Sequence, residues 1–516
     1  MVPHRSSSND HNLLLVLSLA AIITFVQFFW QGRQGFELWD EGYFWYGAQR
    51  VLVGEVPLRD FMAYDPGRYY WAGAWMHLWN DSGIVALRAA AAIFQGTGLA
   101  FGLWIVSSET KRAPALLMVA LSIVLTAWMY PAFKVFDVVP SIFLVCAYTH
   151  LVRKPTAGRY FFSGVVVGLM AVFGRNHGIY GVAGGLAVLG FLACIRTEHP
   201  GILRALMLWG AGIVVGFSPV LVMAAGVPGF SSALWDSITF LFQIKATNLA
   251  LPVPWPWTVS YATLSAWEGL RGLALGSLFI ALPLFGAIGF GVCTLRRLRR
   301  QIVTPLLVAS TAMVLPYAHY AFSRADIVHL AQGIMPFLLG CFAIAATSRH
   351  TTRWLVAFSL CGVSLAVMFP IQPGWQCHIS PSCVEAKVGK DHMKIEQGAV
   401  NDLAMLDTLA HQYAPGDRTF LATPFWPGAY ATLERKSPVW EIYALFPRDA
   451  AFQHAEIERL KLADPGFVLI LDIAIDGNDQ TRFRNTHAMM FEYIRTNFDT
   501  VGTYMGNPAY QVYRRR

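Results

Sequence analysis

The chain has 516 residues, of which 55% are hydrophobic and only 14% charged, against about a quarter charged in an ordinary soluble protein. The apolar residues fall in long runs, which excludes a soluble globular chain and points to a multi-span membrane protein. The net charge of +8 does not read as nucleic-acid binding, because the basic residues gather in short loops between the apolar runs.

The runs lie at 13–30, 84–106, 113–130, 135–152, 160–174, 178–195, 203–225, 271–294, 302–321, 327–347 and 353–370. Each approaches the length of about 20 mostly apolar residues that a transmembrane helix needs. The first has no small-residue cleavage site after it and reads as a retained helix rather than a signal peptide. Lys111 and Arg112, Arg153 with Lys154 and Arg159, Arg196 with Arg204, Arg296 to Arg300, and Arg349 with Arg353 fall in every second loop. That alternation predicts a cytoplasmic N-terminus, an odd number of spans (eleven) and a C-terminus outside the cell.

Between the first and second spans lies the outer loop 31–83. It holds Asp40, Glu41, Asp60 and Asp65 among Arg50, Arg59 and Arg68, with many Trp and Tyr residues. Two of its segments, 41–53 and 68–79, read as helices lying at the membrane surface. A second outer loop, 226–270, carries Trp235, Trp255, Trp257 and Trp267 around several prolines and reads as a membrane-surface loop.

The polar tail 371–516 has the pattern of one small α/β domain. Residues 395–413 and 481–497 are helical in period, 418–423 and 467–473 read as buried strands, and 499–504 with 509–514 as a hairpin turning at Gly506-Asn507. The expected division is a transmembrane domain over 1–370 and an extracytoplasmic α/β domain over 371–516. Five of the cysteines lie in apolar spans and read as packing residues. Cys377 and Cys383 lie together in a polar stretch on the oxidising side and are predicted to form a disulfide. No Cys-x-x-Cys or second cysteine pair completes a zinc set.

Four groups of residues are candidates for chemistry. Asp40 and Glu41 follow the first span directly; they suit proton transfer, and equally suit the N-terminus of a helix. Asp137 opens the fourth span with Lys134 one turn before it, which also fits an interfacial ion pair. Arg175 and His177 follow an apolar span, where an arginine suits a phosphate through its two-point fork or snorkels to the surface. Arg324, Asp326 and His329 sit between two spans, with Asp326 and His329 on one helix face and Asp326 also placed as an N-cap. Asp60 and Asp65 are further candidates, with a loop-building role equally open.

The ordered set Asp40-Glu41, Gly54-x-x-Pro57-x-x-Asp60, Tyr64-Asp65-Pro66-Gly67, then Gly83 and Arg88, resembles the first outer loop of the GT-C superfamily of integral-membrane glycosyltransferases. The protein O-mannosyltransferases and the lipid A aminoarabinose transferases are the branch it looks most like, with Gly67 standing where that family often has a second proline. Bacterial members carry strings similar to Arg324-Ala325-Asp326-x-x-His329. The resemblance implies a GT-C-like polytopic α-helical fold and an inverting transfer of a hexose or pentose. The sugar would come from a polyprenyl phosphate and pass to a glycan, lipid or protein acceptor at the outer face of the cell membrane.

It implies Asp40 as catalytic base, with Asp137 in the place of the family's second acid and Glu41 beside them supporting the acceptor or a divalent metal ion, which some members need. Arg175 and Arg324 would hold the donor phosphate, assisted by His177, His329 and Lys134. The rival reading is a lipid-linked sugar flippase, which would show internal repeats and broken helices near the membrane midplane.

Overall fold

The computed structural model describes residues 7–110, 114–194, 200–379 and 381–516. Lys111, Arg112 and Arg196, which help to orient the loops in sequence, lie outside the described residues. The chain divides into two compact units.

The first unit comprises the residues up to Phe29, Ala91–Met223 and Thr247–Trp375. In lipid every backbone N–H and C=O must be satisfied within its own segment, so apolar runs of this length fold as helices. Among the described residues, eight helices are long and apolar enough to cross a membrane, and one bent pair makes a ninth. Two shorter apolar helices, Ala115–Trp128 and Ala157–Phe173, cover the remaining expected runs. The protein is therefore polytopic and α-helical.

The expected straight span 327–347 is corrected. Helices Ile327–Gly333 and Met335–Thr347 meet at Ile334 with a bend of 57°. Pro336 in the first turn of the second piece has no N–H to continue the ladder, which accounts for the break.

Helices Ala157–Phe173 and Ile202–Gly226 cross through glycines. A Cβ on Gly164 would fall 2.0 Å from the Trp209 carbonyl oxygen, and one on Gly168 2.1 Å from that of Ile213. In return, a Cβ on Gly212 would fall 2.1 Å from the Phe161 oxygen, and one on Gly216 2.0 Å from that of Val165. Both helices thus carry a Gly-x-x-x-Gly pair that lets the backbones touch, the usual way for helices to associate in lipid, where burial of apolar surface gives no drive.

The second unit gathers Trp30–Ala90, Ala224–Ala246 and Gln376–Arg516. Its sheets are a hairpin of β1 (Cys383–Val388) and β2 (Asp391–Glu396) and a mixed sheet of β3 (Leu421–Thr423), β4 (Phe467–Leu471), β5 (Phe498–Thr503) and β6 (Tyr510–Arg515), in the order β3-β4-β6-β5. β3 and β4 are parallel, and β4–β6 and β6–β5 antiparallel. Leu421, Val468, Ile470, Phe483, Ile494 and Tyr513 share one buried core. The C-terminal domain is thus α/β. The single helix expected at 481–497 is instead two, Phe483–Thr486 and Ala488–Asn497, because His487 turns inward and leaves the helical backbone between them. Cys377 and Cys383 are joined by a disulfide with Cα atoms 5.1 Å apart.

The segments read as surface helices are helices Asp40–Leu52 and Gly67–Trp79. The first is fixed to the C-terminal domain by a close backbone approach, since a Cβ on Gly42 would lie 2.4 Å from the Gly428 Cα. The Gly428 N–H donates to the Leu38 carbonyl at 2.8 Å. The Trp440 indole N–H donates to the Leu58 carbonyl and the Ser437 backbone N–H to the Tyr46 hydroxyl, so the outer loop and the tail fold as one piece.

Candidate active site

Asp40 and Glu41 are neighbours with different surroundings. Successive helical residues point about 100° apart, and here that turn separates an ion pair from a half-buried carboxylate. Glu41 is 3% exposed and takes the Arg88 guanidinium at two points, both 2.7 Å. The remaining Arg88 N–H groups donate to the carbonyls of Gly32, Gln34 and Gly35. Glu41 thus ties the entry of the outer loop to Arg88 at the start of the second span, and both its oxygens are engaged there.

Asp40 lies in the first turn of helix Asp40–Leu52 and is half-buried. Its Oδ1 accepts from the Tyr443 hydroxyl at 3.0 Å. Tyr43 packs edge-on against both Tyr443 and Tyr64, and the Arg68 guanidinium lies over the Tyr64 ring, 4.6 Å from its centre. Burial pushes the Tyr443 phenol well above its ordinary range, and the Asp40 charge adds to this. Tyr443 therefore stays protonated and acts as the donor.

The other acids of this loop differ. Asp60 pairs with Arg59 at 2.7 Å and accepts the Val56 N–H; the Arg59 hydrogen bond holds its carboxyl below the usual range. It stabilises its own turn. Asp65 is 9% exposed.

The first unit holds a separate cluster. Asp137, 5% exposed, accepts from the Tyr320 hydroxyl at 3.0 Å. His177 lies 3.8 Å from the same carboxylate but is fully buried. Its Nε2 meets the Phe136 carbonyl at 3.1 Å and its Nδ1 the Tyr317 hydroxyl at 2.9 Å. A carbonyl only accepts, so Nε2 carries the proton and Nδ1 takes the Tyr317 hydrogen, an assignment made from partners. His177 thus joins helices Val135–Arg153, Arg175–Ala193 and Pro305–Ser323. Both ring nitrogens of His177, expected to assist donor binding, are engaged within the protein.

Arg175 begins helix Arg175–Ala193 after the extended residue Gly174 and is half-buried. Lys134 is 9% exposed, with its ammonium 5.9 Å from the Phe133 ring centre. Arg324 pairs with Asp326 at 2.9 Å and donates to the Leu249 carbonyl at 3.0 Å. Asp326 caps helix Ile327–Gly333 by accepting the His329 N–H, and its Oδ1 also meets the His329 ring at Nδ1. The other ring nitrogen of His329 meets Asn248 at 2.6 Å. His329 is therefore held at both nitrogens, and Arg324 projects from a braced turn. Among the described residues, no group of three or more His, Cys, Asp or Glu side chains is arranged to hold a metal ion, so the divalent ion considered in sequence finds no ready-made ligand set.

Sequence reasoning missed Tyr443, Tyr320, Tyr317 and Asn248. Asp40 and Tyr443 are 403 residues apart, and nothing local marks any of the three tyrosines.

The sequence matches no protein-family model, and no curated protein matches it. Solved structures do. ArnT from Cupriavidus metallidurans bound to undecaprenyl phosphate is similar over 97% of this chain and 97% of its own, with a TM-score of 0.50 at 12% identity. The same protein in the apo state gives a TM-score of 0.48 over the same shares, at 12% identity. The apo oligosaccharyltransferase of Archaeoglobus fulgidus gives 0.46 at 12% identity, over 97% of this chain and 74% of that one. Over 97% of its length, the chain shares the polytopic α-helical fold of ArnT, with a C-terminal α/β domain.

Proposed function

We propose that the protein is a GT-C-type membrane glycosyltransferase that moves a sugar from a polyprenyl-phosphate donor to a glycan, lipid or protein acceptor at the outer face of the inner membrane. One observation carries the reading. A half-buried aspartate, held by a tyrosine, opens the helix that follows the first span, in a chain that shares its fold end to end with a protein bound to undecaprenyl phosphate.

In the reaction, an acceptor atom attacks C1 of the sugar from the side opposite the phosphate. The C1–O bond breaks, and the electron pair leaves with the polyprenyl phosphate. Asp40 takes the acceptor's proton, help typically worth about 10²–10⁴-fold. The leaving phosphate needs fixed positive charge; Arg175, Arg324 and Lys134 are assigned to supply it, and Asp137, held by the Tyr320 hydroxyl, to support the acceptor. Glu41, His177, Asp326 and His329 act indirectly, by holding these side chains in place.

The test uses purified protein in proteoliposomes containing undecaprenyl phosphate linked to a tritiated sugar, with cell-envelope extract as acceptor. The proposal expects tritium to move to the acceptor and undecaprenyl phosphate to be released. Movement of intact donor across the bilayer without cleavage of the sugar–phosphate bond would instead support a flippase.

A further inference from the structure

We propose that Tyr443, from the C-terminal domain, is the positioning residue of the Asp40 base, so that this domain completes the catalytic apparatus instead of only covering it. The inference rests on the reading of Asp40 as base.

The observation is the 3.0 Å hydrogen bond from the Tyr443 hydroxyl to Asp40 Oδ1, together with the rigidity of both ends. The Tyr443 ring is held at its edges by Tyr43, 5.4 Å between centres, and by Phe425, 6.3 Å. The next residue is pinned, since the Ala444 N–H donates to the Pro424 carbonyl at 2.7 Å. Three residues past Phe425, Gly428 touches Gly42 in the helix that Asp40 opens. A carboxylate on a surface helix turns freely about its last torsion. A phenol held this firmly fixes that torsion. The titratable groups facing Tyr443 are Asp40, Glu37 and Tyr64, and Arg68 acts on the adjoining Tyr43. Asp40 is the member of this set that receives the hydroxyl hydrogen.

A docking contact alone would make Tyr443→Phe less stable without changing the chemistry of the folded fraction. A positioning role predicts more. In the tritiated undecaprenyl-phosphate sugar assay, Tyr443→Phe should lower kcat about 10- to 100-fold, the size of a hydrogen bond to a charged group, with KM for donor unchanged. A cycle of unfolding temperatures for wild type, Asp40→Ala, Tyr443→Phe and the double variant gives a readout independent of turnover, and the two losses should not add.

If Asp40→Asn is inactive while Tyr443→Phe keeps its kcat and the losses in the cycle add, the positioning role is overturned and the base stands. If Asp40→Asn remains active, the base reading falls, and the positioning role with it. Should Tyr443→Phe give too little folded protein for kinetics, Tyr443→Leu, which removes the hydroxyl without adding another donor, is put through the same cycle. Additive losses there overturn the proposal.

Discussion

Glu41 and Arg88, 47 residues apart, form a two-point ion pair with both contacts at 2.7 Å and side chains only 4% and 9% exposed. A buried pair gains little over a well-packed apolar one, but removing one partner leaves the other charged and unpaired. Arg88 also satisfies three backbone carbonyls. Arg88→Ala is therefore expected to cost about 3–5 kcal/mol, read as a large fall in unfolding temperature and folded yield. Glu41→Gln should lose activity only in proportion to the folded protein lost. A well-folded Glu41→Gln enzyme without turnover would return Glu41 to the chemistry.

The glycine crossing makes a second prediction. Gly168→Ala should force helices Ala157–Phe173 and Ile202–Gly226 apart, because its Cβ would meet a backbone oxygen at 2.1 Å that has no side chain to swing away. Overpacking of this kind costs about 1–3 kcal/mol. Gly158 is on the same helix with nothing within 4 Å of its Cβ position, so Gly158→Ala should be neutral or slightly stabilising. Thermal unfolding of the two variants checks the contrast, and equal losses would contradict the crossing.

Much of this fold is legible in the sequence. The apolar runs give the spans, because backbone satisfaction in lipid leaves helices or closed barrels and continuous runs of about 20 apolar residues suit helices. The C-terminal strands follow from apolar runs and turn residues. The bend at Ile334 is harder, because the residues on both sides are equally apolar; Pro336 is the signal. The β1–β2 hairpin is readable in the alternation Val384 to Ile395 around Gly389, which has a φ of +59°, and the paired glycines at 164, 168, 212 and 216 are plain once a crossing is sought. The site is less legible. Sequence draws attention to Asp40, but cannot divide the labour between it and Glu41, since that depends on where Arg88 and Tyr443 arrive from. His177 beside Arg175 looks like one ligand-facing unit, and only the packing of three helices shows that the imidazole is spent inside.

The donor phosphate gives a third prediction. Arg175→Ala and Arg324→Ala should each weaken binding of undecaprenyl phosphate, measured by titration into folded protein, by about 1.5–3 kcal/mol, the size of a charge-assisted hydrogen bond. Lysine should rescue poorly, because it lacks the planar fork. His177→Ala should act differently, lowering stability through the lost contacts to Phe136 and Tyr317 while the surviving protein binds donor normally. Unchanged donor affinity in both arginine variants would move the phosphate site elsewhere.

The most direct measurement of the central claim is transfer by Asp40→Asn. Asparagine keeps an oxygen for the Tyr443 hydroxyl and nearly the same volume, so unfolding temperature and donor affinity should stay close to wild type. It does not take a proton, so transfer of tritiated sugar from undecaprenyl phosphate should fall by at least about 10²-fold. Wild-type transfer by folded Asp40→Asn would contradict the account.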